Sequence, residues 1–151
     1  MKDALKILAI EDNRDDLAVL KAILADKMPL STFLFALNGP EGIYMALNES
    51  PDVILVNVFL PGTDGFAVCR EIKKNEGLKY IPVVIISALR TDPQTRIKAL
   101  EAGAEGFLSK PLDEQELLAQ MRAMAKIKAE NQLHKLASKE LTAQINEKNI
   151  V

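Results

Sequence analysis

The chain has 151 residues, 48% of them hydrophobic, which is enough for one well-buried domain and not for two. A net charge of −2 and a pI near 5.5 give no electrostatic reason to expect nucleic-acid binding. No apolar run approaches the ~20 residues that span a bilayer, and Met1-Lys2-Asp3 does not open a signal-peptide pattern. The lone Cys69 excludes an intrachain disulfide and fits a reducing compartment, so a cytoplasmic protein without membrane or direct nucleic-acid partners is expected.

Short apolar runs alternate with helical patterns, the signature of βαβ units around a parallel sheet. Strands are predicted near 5–10, 32–36, 52–57, 82–87 and 105–108. The third and fourth are almost continuously apolar, as strands covered on both faces must be. The first helix follows the N-cap candidate Asn13 and carries Leu17, Leu20 and Leu24 on one face. Asp15 and Asp16 suit its first turn, where the macrodipole favours acids. The second helix begins near Pro40 with Ile43, Ala46 and Leu47 at helical spacing. The third runs from Asp64, with Phe66, Val68, Cys69 and Ile72 facing inward. Thr91 or Asp92 caps the fourth, which has Pro93 in its first turn, carries Ile97 and Leu100, and stops at Gly103. From Asp113 to about Glu147 the pattern is one long polar helix; Leu133, Leu136, Leu141 and Ile145 do not sustain a heptad.

The polar residues at the strand ends carry the chemistry. Ile7-Leu8-Ala9-Ile10 runs into Glu11-Asp12, Val53-Ile54-Leu55-Val56 into Asn57, Val83-Val84-Ile85-Ile86 into Ser87-Ala88, and Phe107-Leu108-Ser109 into Lys110-Pro111. An acid pair, an amide, a hydroxyl and an ammonium thus gather at the C-terminal edge of one sheet, where open α/β folds bind ligands. Pro61-Gly62-Thr63-Asp64-Gly65 is a turn by its chemistry, since Pro presets φ and Gly permits positive φ. The adjacent acids suit a hard cation such as Mg²⁺, although such a pair on its own is an ordinary solvated loop.

Over roughly residues 5–124 this set resembles the receiver domain of two-component response regulators. The resemblance implies a flavodoxin-like (βα)5 fold with sheet order 2-1-3-4-5, a receiver over 1–124, and a helical extension or linker over 125–151. It implies Mg²⁺ held directly by Asp12, through water by Glu11, by residue 57, and by the backbone carbonyl of Phe59. Ser87 and Lys110 would contact a phosphoryl group, Ala88 would leave it room, and without a phosphate Lys110 could pair with Asp12 instead. Ser87 and Phe107 would be the switch pair, coupled to the surface Arg90–Gly103 and Glu105–Met124, and Lys110-Pro111 would be cis. The implied partners are a sensor histidine kinase or phosphotransfer protein and an output domain or partner protein, with homodimerisation through the last helix a further option.

The departure from the family pattern is Asn57, where the family has the aspartate that accepts the phosphoryl group. An amide nitrogen is delocalised into its carbonyl and is a poor nucleophile, so aspartyl phosphorylation is expected to be blocked and Mg²⁺ binding weakened. Asn57 is either an isolated block in an otherwise competent receiver or the mark of a natural pseudo-receiver that works by binding. Enzyme readings on a similar sheet fit less well. An aspartyl-phosphate phosphatase needs acids where Asn57 and Phe59 stand, and a flavin-binding loop would not carry Glu11-Asp12. His134, the single histidine, has no metal-spaced partners.

Overall fold

The computed structural model describes residues 4–88 and 92–149, with side chains through 145. Its strands are β1 (Lys6–Ile10), β2 (Thr32–Ala36), β3 (Val53–Asn57), β4 (Phe59–Leu60), β5 (Thr63–Asp64), β6 (Val83–Ser87) and β7 (Gly106–Ser109). Its helices are α1 (Arg14–Lys27), α2 (Gly39–Glu49), α3 (Gly65–Lys74), α4 (Pro93–Glu101) and α5 (Glu114–Asn149). The main sheet is parallel, in the order β2-β1-β3-β6-β7. That is the expected 2-1-3-4-5 order; the numbering differs because β4 and β5 form a separate small hairpin around the Pro61-Gly62 turn.

Strand residues alternate between two apolar layers. Leu8, Ile10, Ile54, Val56, Val83 and Ile85 pack with Ala46, Val68, Ile72 and Ala99 from α2, α3 and α4. Ile7, Ala9, Val53, Leu55, Val84 and Ile86 pack with Leu17, Leu20, Leu24, Leu117 and Met121 from α1 and α5. Every residue of β3 and β6 is buried, as covered central strands require.

The capping chemistry sets the helix starts. Asn13, Asn38, Asp64 and Asp92 each accept a backbone N–H of the first turn, satisfying a donor that the helix leaves open. Thr91, the alternative cap for this helix, and Arg90 lie outside the described residues. Leu47, Ile97 and Leu100 face solvent, at 50%, 46% and 72% exposure, instead of the sheet. Small residues take the inner positions at a spacing of four: Gly42 and Ala46 on α2, Thr95 and Ala99 on α4.

Helix α5 continues through Met124 without a break. Ala125 and Ile127 still pack on the core. Lys128 Nζ lies 2.8 Å from Asp52 Oδ1, and Asn131 Nδ2 donates to the Tyr80 carbonyl at 3.0 Å. Beyond these contacts Leu133, Leu136, Leu141 and Ile145 are 50–69% exposed.

Candidate functional site

The parallel register brings the strand ends together. Ile10 lies beside Val56, Asn57 beside Ile86, and Ser87 beside Ser109, so the residues that follow emerge along one edge. Backbone bonds fix them there: Glu11 N–H donates to the Ala36 carbonyl at 3.0 Å and Lys110 N–H to the Ser87 carbonyl at 2.8 Å. The Lys110-Pro111 peptide is cis.

Asn57 is buried and its Nδ2 donates to the Phe59 carbonyl at 2.7 Å. The orientation of the amide follows from chemistry, because its oxygen cannot face another carbonyl oxygen at that distance. This bond ties the end of β3 to the β4–β5 hairpin, which is closed by Gly62 at φ +73°. Gly65 N–H donates to the Val58 carbonyl at 2.8 Å. A Cβ on Gly65 would collide with the Asn57 carbonyl oxygen, so the start of α3 is seated against the strand end through a residue with no side chain.

Glu11 and Lys110 form the charged centre. Lys110 Nζ lies 2.7 Å from Glu11 Oε1 and 2.7 Å from Asp16 Oδ2. Glu11 Oε2 accepts the Asn13 N–H at 3.2 Å, and Asn13 Oδ1 accepts the Asp16 N–H at 3.0 Å. Both carboxyl oxygens of Glu11 are therefore engaged. Burial raises its pKa, against the pull of Lys110 and of the Asn13 N–H. For Lys110, burial works against the charge, but the hydrogen-bonded carboxylates of Asp16 and Glu11 outweigh it and its pKa is raised.

The pairing of Lys110 with Asp12 that the sequence allows is not found among the described residues. Asp12 is exposed and engages no charged partner among the described residues, while Asp16 takes the ammonium. The reason is helical geometry. Asp16 lies four residues before buried Leu20, so it projects toward the sheet edge as well as serving the first turn. That spacing is a signal visible in the sequence, and it separates Asp16 from its exposed neighbour Asp15. Ser87 is fully buried at the end of β6, whereas Ala88 and Phe59 are exposed. Phe107 is half-buried, with the Arg96 guanidinium 5.9 Å from its ring centre.

Glu11, Asp16, Asn57 and Lys110 line one cavity of about 170 Å³, floored by Leu20, Leu55 and Ile86. As arranged, the oxygen donors do not fit a Mg²⁺ ion. Glu11 is spent on Lys110 and Asn13, and the Phe59 carbonyl on the Asn57 amide. Asp12 is left as the unengaged carboxylate, and no three acid, His or Cys side chains converge on a metal position among the described residues. Cys69 lies outside the site; it is a buried side chain whose Sγ–H faces the Ala102 carbonyl.

Comparison with known proteins agrees with this architecture. The family described as the response regulator receiver domain matches residues 7–122. Response regulator PleD of Caulobacter vibrioides is 41% identical over 126 residues, which cover 82% of this chain and 26% of PleD. Protein PilH of Pseudomonas aeruginosa is 32% identical over 120 residues, 79% of this chain and 96% of PilH. Among solved structures, the receiver domain of a Pseudomonas aeruginosa sensor histidine kinase, with a magnesium ion coordinated in its active-site cleft, superposes with a TM-score of 0.73. It is 26% identical and covers 82% of this chain and 98% of its own. The chain belongs to the response regulator receiver domain family and is a receiver module of two-component systems. It spans about a quarter of PleD's length. None of the described helices is long and apolar enough to cross a membrane.

Proposed function

We propose that this chain is a receiver whose phosphoryl switch is disabled at the acceptor and whose output depends on binding. The observation that carries this is the Asn57 side chain. Where the family's nucleophilic carboxylate would stand, an amide donates to the Phe59 carbonyl at 2.7 Å. A carboxylate attacks phosphorus through a lone pair on oxygen, and the donor's leaving group departs with the bonding electrons. The amide offers no comparable lone pair, and its nitrogen is held in a hydrogen bond. Loss of the residue-57 charge and engagement of the Phe59 carbonyl also weaken the hold on Mg²⁺.

The positions of Ser87 and Ala88 at the end of β6, Lys110 after β7 and Phe107 on β7 support the reading that these are the remaining phosphate-contacting and switch residues. The exposed Ile97 and Leu100 on α4, the latter sharing a groove with Phe107, form the face offered to a partner protein or output domain. A histidine kinase or phosphotransfer protein docks on this module without leaving a phosphoryl group at Asn57. Intact mass after incubation with acetyl phosphate and Mg²⁺ tests the reading. The parent chain is expected to stay unmodified, while Asn57→Asp gains one phosphoryl group. A phosphorylated parent overturns the block, and an unmodified but folded Asn57→Asp leaves a binding-only pseudo-receiver as the account.

The exposed Leu133, Leu136, Leu141 and Ile145 favour a second role, self-association through the far half of α5. Light scattering of the full chain against a truncation after Asn131 tests it, and no loss of self-association on truncation rejects it.

A further inference from the structure

The contact of Lys110 with Asp16 assigns a role to a residue outside the family pattern. The ammonium is gripped by two carboxylates of different character. Glu11 is the inner one, with 8% of its side chain exposed, and it is held again by the Asn13 N–H. Asp16 is the outer one, with 42% of its side chain exposed, so its carboxylate hydrates readily once released. Removing Glu11 from Lys110 strands a buried charge, whereas removing Asp16 does not. Both carboxylates lie on the cavity that Asn57 and Lys110 share.

We propose that Asp16 is a positioning residue that acts as a built-in competitor for Lys110. It keeps the ammonium inside the cleft while residue 57 carries no charge, and a tetrahedral oxyanion entering the cavity must displace it. The inference rests on the receiver reading for the chemistry of the ligand, and it extends that reading to what sets the cleft's affinity for anions. Asn13 is part of the device, since its side chain holds the Asp16 backbone at 3.0 Å as the cap of α1.

Inorganic phosphate is the probe, titrated into the full chain and followed by the backbone amide shifts of Ser87 and Lys110. Asp16→Asn is expected to bind phosphate roughly tenfold more tightly than the parent, the loss of one half-exposed charge-assisted hydrogen bond. Asp16→Glu is expected to return the affinity toward the parent value, and Lys110→Gln to remove the gain in the Asp16→Asn background. A merely structural Asp16 moves thermal stability without this ordered change in affinity. Equal dissociation constants for parent and Asp16→Asn overturn the proposal. So does a gain that survives Lys110→Gln, or the absence of phosphate binding in Asp16→Asn. No bond to residue 57 forms in this experiment, so its failure is read separately from that of the acetyl phosphate test.

Discussion

Replacing Asn57 by aspartate puts a carboxylate against the Phe59 carbonyl, 2.7 Å from the present amide nitrogen. The hydrogen bond lost contributes about 1 kcal/mol, and the oxygen that replaces the N–H donor has no proton to give. The new charge also faces acids. At about 5 Å and an effective dielectric of ~20, each unscreened acid pair costs on the order of 3 kcal/mol. Lys110 already neutralises much of Glu11 and Asp16, so about one such repulsion remains, chiefly with Asp12, and Lys110 offsets part of that. The net loss is then about 2–3 kcal/mol in a metal-free buffer, or about 4–12 °C in Tm for a domain of this size. Thermal melts of parent and Asn57→Asp in EDTA at neutral pH measure it. Millimolar Mg²⁺ is expected to restore most of the variant's loss and to stabilise the parent much less, because only the variant adds a charged oxygen ligand at residue 57 to the carboxylate of Asp12. High salt is expected to narrow the gap in EDTA. An Asn57→Asp variant at least as stable as the parent in EDTA refutes this reasoning, as does a parent stabilised by Mg²⁺ to the same extent.

Gly65→Ala pushes a Cβ into the Asn57 carbonyl oxygen, so a loss of about 2 kcal/mol is expected in chemical denaturation; an unchanged midpoint contradicts the close approach. Burial raises the folded-state pKa of Glu11 above 4.5, so the native state holds that proton more tightly than the unfolded chain. Its contribution is therefore greatest below pH 4.5 and is lost as pH rises through the folded value. Relative to the parent, Glu11→Gln is accordingly expected to gain stability from acid toward neutral pH, and a gap that stays constant or shrinks contradicts it. Burial pushes the Cys69 thiol up to about 11. With about one thiol in a thousand ionised near pH 8, thiol-reagent labelling is expected only on unfolding, and fast native labelling counts against it. Truncation after Met124 removes Ile127, the Lys128–Asp52 ion pair and the Asn131–Tyr80 bond. It is expected to lower Tm by about 4–8 °C, while truncation after Asn131 leaves it nearly unchanged. Equal melting of the two truncations refutes the anchoring.

The strand ends were legible because a parallel sheet aligns whatever follows its apolar runs, and Glu11, Asn57, Ser87 and Lys110 each end one such run. Helix starts were legible from side chains that satisfy open N–H groups, as Asn13 and Asp64 do. Side-chain partnership was not. Four acids, Glu11, Asp12, Asp15 and Asp16, follow β1 in the sequence, and the choice of Glu11 and Asp16 for Lys110 depends on the pitch of α1 against the β1 edge. The outward turn of Leu47, Ile97 and Leu100 was hidden for a similar reason. Glycine, threonine and alanine can take a close-packed inner face, which a search for large apolar residues overlooks. The β4–β5 hairpin shows in the sequence only as a turn, because its two-residue strands are too short to leave a periodic signal.

The central claim is that the Asn57 amide occupies the Phe59 carbonyl by a hydrogen bond, where a charged acceptor and a metal would otherwise meet. Its most direct test is the Asn57 side-chain amide in a ¹⁵N-resolved NMR spectrum, followed as Mg²⁺ and then acetyl phosphate are added. The account expects one amide proton protected from solvent exchange, and signals of residues 11, 12, 57 and 59 that Mg²⁺ does not move and that acetyl phosphate does not convert to a phosphorylated set. A freely exchanging amide contradicts it, as does a saturable Mg²⁺-dependent shift of those residues.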